Sequence, residues 1–322
     1  MANEFRATSL QLFRVVGYPE NVGRSQFEDD EPYHVQMAVE ALENHVQRVL
    51  GKSKYANEAW PLNARTLDAL RAALDDNRGN YAAKYLARAL VRGASREPDV
   101  MASLDGWDRL MFTWNQEDLT AERAADELQR SGLGALVTED IDALRGWLRN
   151  PLSAVDKAWD VATALFGDSL VLAWRKDLEE DAGHDKMLGD LFAKAKPAVE
   201  VANLEQTVNV PERFVPFPSE EDPRRQAMFK GAPVYIDAAD HFIVSFSHHG
   251  ESHQFTVKNG GKWMDWDGVM RYFDYFMANL GRSERVYDLQ VDPWLGGFIV
   301  ARVESAEHVV RQLHIPMRSC AR

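Results

Sequence analysis

Apolar residues recur every three or four positions along most of the first two hundred residues, the spacing that lines one face of an α-helix. The first such run is Tyr33 to Leu50, with Val35, Val39, Leu42, Val46 and Val49 on one side and Gly51 as its left-handed terminator. Asn63 and Asn80 stand as N-caps of two more helices, ahead of Leu67, Leu70 and Leu74 and of Tyr81, Tyr85, Leu86 and Leu90, the latter run stopping at Gly93. The pattern continues through residues 97–115, 120–131, 138–149, 153–166, 168–181 and 185–205, with Ser153 and Asp156 as a loose relative of a capping box. Short links such as Gly167 pack successive helices together. The Trp-bounded stretches WDRLMFTW (107–114) and WDVATALFGDSLVLAW (159–174) share no fixed period, which favours a bundle over a solenoid. Only Ser9–Val16 (SLQLFRVV) has strand character in this part of the chain.

The pattern then breaks. Thr207 to Pro233 carries Pro211, Pro216, Pro218, Pro223 and Pro233, and helix cannot run through such a stretch because each ring removes a backbone donor and biases its predecessor towards extended geometry. Beyond it the apolar positions alternate. His241–Ser247 and Ser252–Lys258 read as a hairpin turned at His248-His249-Gly250-Glu251. If Ser247 opposes Ser252, then Val244 opposes Phe255 and Phe242 opposes Val257 on one apolar face. Asn259-Gly260-Gly261 turns the chain into an amphipathic helix ending at Leu280-Gly281, with Val269, Phe273, Phe276, Met277 and Leu280 inward. Two more strands, Arg285–Val291 and Phe298–Val303, precede a closing helix capped by Ser305. The expected class is α+β. A mainly α-helical bundle (1–206) and a Pro-rich strap (207–233) lead to a small β-β-α-β-β-α domain (234–322), whose antiparallel sheet of four or more strands carries helices on one face.

Composition narrows the functional classes. The net charge of -13 argues against a nucleic-acid partner, since that affinity comes from Lys and Arg neutralising phosphates. Most of the acid lies in residues 1–200, with 34 Asp+Glu against 24 Lys+Arg, compared with 16 against 13 afterwards. The stretch 125–148 has helix-turn-helix rhythm, but Glu139, Asp140 and Asp142 occupy the end that would meet DNA. The single cysteine, Cys320, forms no intramolecular disulfide and fits a reducing compartment. With no apolar leader and no run long enough for a membrane helix, the chain reads as cytosolic.

Chemical motifs are sparse. His248, His249 and His253 fall within six positions, and Asp240 at the strand entrance adds an oxygen donor, which makes a candidate metal set. His249-Gly250-Glu251 matches the H-x-E of zinc deaminases, yet the P-C-x-x-C that completes their metal shell is missing. Arg302 and His308 have the loose spacing of a ribonuclease pair, in the wrong strand-to-helix context. Asp265 and Asp267 read as N-cap and first-turn acids. No motif calls for a cofactor. Trp294 and Leu295, in the loop DPWLGG, and Phe214 with Phe217, in RFVPFP, are candidate partner-binding residues. The Phe pair reads equally as a docked segment or as an interdomain strap. The expectation is a non-enzymatic, protein-binding component of a larger assembly. Its alternative is a metal-dependent hydrolase using His248, His249, His253 and Asp240.

Overall fold

The computed structural model describes residues 64–76, 78, 82–93, 95, 97–174, 183–208, 241–258, 264–291 and 295–319. The expected elements at Ser9–Val16 and Tyr33–Leu50, the caps Asn63 and Asn80, nearly all of the Pro-rich stretch and the turn at Asn259–Gly261 lie outside them. The fold is mixed α+β, with ten α-helices and two small antiparallel sheets among the described residues. Contacts divide the chain into two units, Met1–Ala125 with Val137–Ala164, and Asp126–Leu136 with Leu165–Arg322.

The first unit is built on helices α1 (Ala64–Asp76), α2 (Ala82–Arg92), α3 (Pro98–Ser103), α4 (Gly106–Gln116), the start of α5 (Ala121–Ser131), α6 (Thr138–Arg149) and most of α7 (Ala158–Phe166). Leu70, Leu74, Leu86, Leu90, Val100 and Val155 form its buried core. On α4 the large residues Trp107, Leu110, Met111 and Trp114 are all buried, at the helical spacing that the sequence shows. The helix starts there because the Asp105 carboxylate accepts the Asp108 N–H at 2.9 Å. Asp140 plays the complementary part on α6, reaching back to accept from the Val137 N–H at 3.2 Å. The expected helix over 153–166 is shorter. Pro151–Ala154 forms a single 3-10 turn, Asp156 takes a left-handed φ of 67°, and α7 begins only at Ala158. Ser153 does not cap it, because its hydroxyl donates to the Asn150 carbonyl at 2.7 Å.

In the second unit, two segments read as helix are strands: β1 (Leu170–Trp174) and β2 (Ala202–Val208). The five residues of β1 are too short an apolar run for periodicity to separate strand from helix, and burial alternates along it at Val171, Leu172 and Ala173. The helix expected over 185–205 is α8 (His184–Lys194), which stops just before Pro197. Beyond the Pro-rich stretch come β3 (His241–His248), β4 (Glu251–Lys258), α9 (Trp266–Asn279), β5 (Glu284–Asp288), β6 (Leu295–Arg302), α10 (Val303–Leu313) and the short β7 (Arg318–Ser319). The closing helix starts before Ser305, at Val303.

The β-β-α-β-β-α order stands, but its strands do not share one sheet. One sheet has the order β2-β3-β4 and the other β1-β6-β5-β7. Each hairpin is extended by a strand from upstream, with Val208 opposite Phe242 and Leu170 opposite Ile299. Two faces need covering, and two helices cover them: α8 touches β1, β6, β2 and β3, while α9 touches β5 and β4. A single core results, centred on Phe192, Val244, Phe246, Phe273, Phe276 and Phe298. The β3–β4 register has Ser247 opposite Ser252, Val244 opposite Phe255 and Phe242 opposite Val257, as the alternation predicts. His249 and Gly250 have φ of 50° and 83°, the paired left-handed residues that a two-residue hairpin turn requires.

Candidate functional site

Side chains on alternate positions of a strand share a face, so Phe246 and His248 on β3 stand with Phe255, His253 and Glu251 on β4. Helix α9 lies against β4, and its N-terminus is fixed by Asp265, whose carboxylate accepts the Gly268 N–H at 2.9 Å. A Cβ on Gly268 would stand 2.5 Å from Asp265 Oδ2 and 3.2 Å from Val257 Cγ1, so any side chain there would displace the capping carboxylate. The result is a graded aromatic seam. Phe192 and Phe273 are buried with centroids 5.4 Å apart. Phe246 and Phe276 cross edge to face at 5.3 Å, and His253 stacks on Phe246 at 5.1 Å. Further out, Phe255 and Tyr272 are half-buried and stack at 3.8 Å with planes 5° apart. Tyr275, 6.4 Å from Tyr272, is 64% exposed. Burial pushes the Tyr272 phenol up to about 12, so it stays protonated and retains its donor near neutrality.

The imidazoles singled out in the sequence divide between two roles. His253 is an aromatic packing residue, wedged between Phe246 and Phe276. His248 and His249 lie with ring centroids 4.1 Å apart, and His248 Nδ1 donates to the Glu200 carbonyl at 2.8 Å. Among the described residues no three His, Cys, Asp or Glu side chains gather as metal ligands would. Asp240, Trp294, Phe214 and Phe217 lie outside the described residues. Leu295 is half-buried in β6, opposite Trp174 of β1. Tyr272 and Tyr275 were not singled out by sequence, although a Tyr on the polar side of the α9 stripe was the available signal.

Other polar clusters hold the structure together. His184, fully buried at the start of α8, donates from Nδ1 to Gln206 Oε1 at 2.7 Å and accepts at Nε2 from the Asp265 N–H at 2.9 Å. Its tautomer is thereby fixed, and burial holds its pKa below the usual value despite the Gln206 bond. It joins α8, β2 and the entrance to α9. In the first unit, Arg88 binds Asp108, Asp105 (3.2 Å) and Asp156 (3.0 Å), and Arg92 binds Asp156 at 2.7 Å. His308, whose spacing from Arg302 was set aside as a ribonuclease pair, meets Glu127 Oε2 at 2.6 Å, and that bond holds the Glu127 carboxyl below its usual range. A small cavity of about 250 Å³ lies among Lys194, Lys196, Asp168, Ser169 and Ile299.

No protein-family model, no curated protein and no solved structure matches this chain.

Proposed function

We propose that this protein is a non-enzymatic, cytosolic binding component that engages another protein through the aromatic seam between β4 and α9. The observation that carries the reading is Tyr275, exposed and continuous through Tyr272 and Phe255 with a rigid aromatic core. Tyr loses little side-chain entropy when it is immobilised and offers both apolar area and a hydrogen bond, which suits it to anchor an interface. The stack behind it is preorganised, so docking would order few side chains. The test is affinity capture followed by reconstitution of any stoichiometric partner from purified components. A Tyr275→Ala variant should bind that partner at least tenfold more weakly. Equal affinity would remove the seam from the reading, and the absence of any reconstitutable partner would remove the reading itself.

One observation favours the metal-dependent hydrolase as a second reading. His248 donates its Nδ1–H to a backbone carbonyl, an orientation common in metal-binding histidines, with His249 beside it. Metal analysis of the purified chain and of a His248→Ala, His249→Ala variant separates the two. Stoichiometric metal that is lost in the variant supports the hydrolase, and a metal-free wild type retires it.

A further inference from the structure

Asp274 projects from the middle of α9 into the second unit's core and is 7% exposed. Its Oδ1 accepts the Val286 N–H of β5 at 2.8 Å, while Oδ2 is buried without any hydrogen-bond partner. A buried carboxylate normally collects several donors or a guanidinium, because desolvating the anion is far costlier than desolvating the neutral acid. The groups facing it do not supply them. From β5, Arg285 attracts the carboxylate but turns its Nη1 to the carbonyls of Arg282 and Glu284, and the Tyr287 phenol lies nearby. From α8, the buried side is apolar (Met187, Leu188, Leu191, Phe192) except for His184, which is committed to Gln206 and Asp265. From β4, His253 packs on Phe276. The acids of α10 that act on Tyr287, Glu304 and Glu307, add only negative charge.

We propose that Asp274 is a protonation latch: the neutral acid closes the α9–β5 corner against Val286, and loss of its proton loosens that corner, so the second unit tightens in mildly acidic solution. Burial pushes the carboxyl up to about 6, opposed by the Val286 N–H and Arg285. With the folded-state pKa above that of the unfolded chain, the added stability is complete below about 4 and is lost as pH rises through about 6. His184 works in the opposite sense, since its depressed pKa removes stability as pH falls below about 6.5. The experiment must therefore isolate Asp274.

Two measurements on the full chain do so. Carbon-detected titration of the wild-type Asp274 carboxyl should give a midpoint near 6; a midpoint in the ordinary carboxylate range, near 4, overturns the latch. Hydrogen exchange at the Val286 amide, corrected for intrinsic rate, should lose about tenfold or more of its protection between pH 5 and pH 8 in the wild type, relative to Asp274→Asn. Parallel pH profiles in the two proteins also overturn it. The titration uses no variant, so a failure of Asp274→Asn to fold leaves the proposal open to refutation.

Discussion

Asp108 in the first unit is 0% exposed and Asp274 in the second is 7% exposed, and burial pushes both carboxyls above their usual range. Their surroundings differ. Asp108 has Arg88 against one oxygen and the Asp156 N–H on the other at 3.2 Å, inside a set of charges that also includes Lys84, Arg92, Asp105 and Asp156. Burial alone would lower the Arg88 pKa, but the combined pull of Asp108, Asp156 and Asp105 raises it, so the pair stays ionic. Asp274 has one N–H and, among the described residues, no ion pair. A buried acid with a committed cation is a fixed joint, held in place by its ion pair. A buried acid without one is a place where the fold can respond to protons.

The largest expected effect breaks the fixed joint. Arg88→Met leaves Asp108 buried beside Asp105 and Asp156 without its principal cation, and should destabilise the first unit by about 3–5 kcal/mol. Urea unfolding followed by the buried Trp107 and Trp114 measures it. Adding Asp108→Leu should recover much of the loss, because apolar replacement of both partners is often near neutral. If Arg88→Met alone is neutral, the contrast between the two acids collapses.

Next comes His184, the second unit's own fully satisfied polar joint. His184→Ala removes the imidazole acceptor of the Asp265 N–H and one of the two donors to Gln206 Oε1, which keeps the backbone N–H of residue 184 at 2.9 Å, and should cost about 1–3 kcal/mol. The sign with pH is fixed: the wild-type contribution is present above about 6.5 and falls away below it, so the gap between wild type and variant should narrow from pH 8 to pH 5. A gap that widens on acidification would show that the buried ring is charged, against its bond geometry.

Caps give a finer comparison. Asp105 and Asp265 each accept a helix N–H at 2.9 Å, and loss of either cap by Asp→Ala should cost about 1 kcal/mol. Asp105 also pairs with Arg88, so its loss should be the larger, and thermal unfolding of the two variants orders them. Equal losses would mean that the Arg88 cluster adds nothing at Asp105.

The two caps differ in legibility, since Asp105 divides a stretch read as one helix, residues 97–115, into α3 and α4. Asp265 was legible as an N-cap because capping is a local event, fixed by a residue type and the helix after it. The β3–β4 register was legible for the same reason, since alternation and a two-residue turn specify it without reference to the rest of the chain. The sharing of strands between two sheets was not legible. Leu170 pairs with Ile299 across most of the second unit, and nothing within five residues of β1 distinguishes a strand that must wait for such a partner from one more turn of helix. The candidate site shows the same division. The imidazoles stood out by proximity in sequence, whereas the stack of Phe255 on Tyr272 exists only after helix and hairpin meet. Asp274 and Asp108 are both buried acids within helices, and only the packed neighbours separate them.

The smallest expected effect on stability falls on the residue that matters most to the binding reading. Tyr275 is 64% exposed and touches the seam only at its margin, so Tyr275→Ala should change unfolding free energy by no more than about 0.5 kcal/mol. Phe255→Ala is the contrasting variant in the same seam. It removes a half-buried ring stacked at 3.8 Å on Tyr272 and should cost about 1–3 kcal/mol, approaching the loss expected of a core aromatic. Chemical denaturation of both variants checks the order. A Tyr275→Ala variant as unstable as Phe255→Ala would make Tyr275 part of the second unit's packing, and its exposure could then no longer be assigned to a partner. A stable variant with weakened partner binding would separate the two roles, leaving the inner rings to hold the helix on the hairpin and the outermost ring to meet another protein.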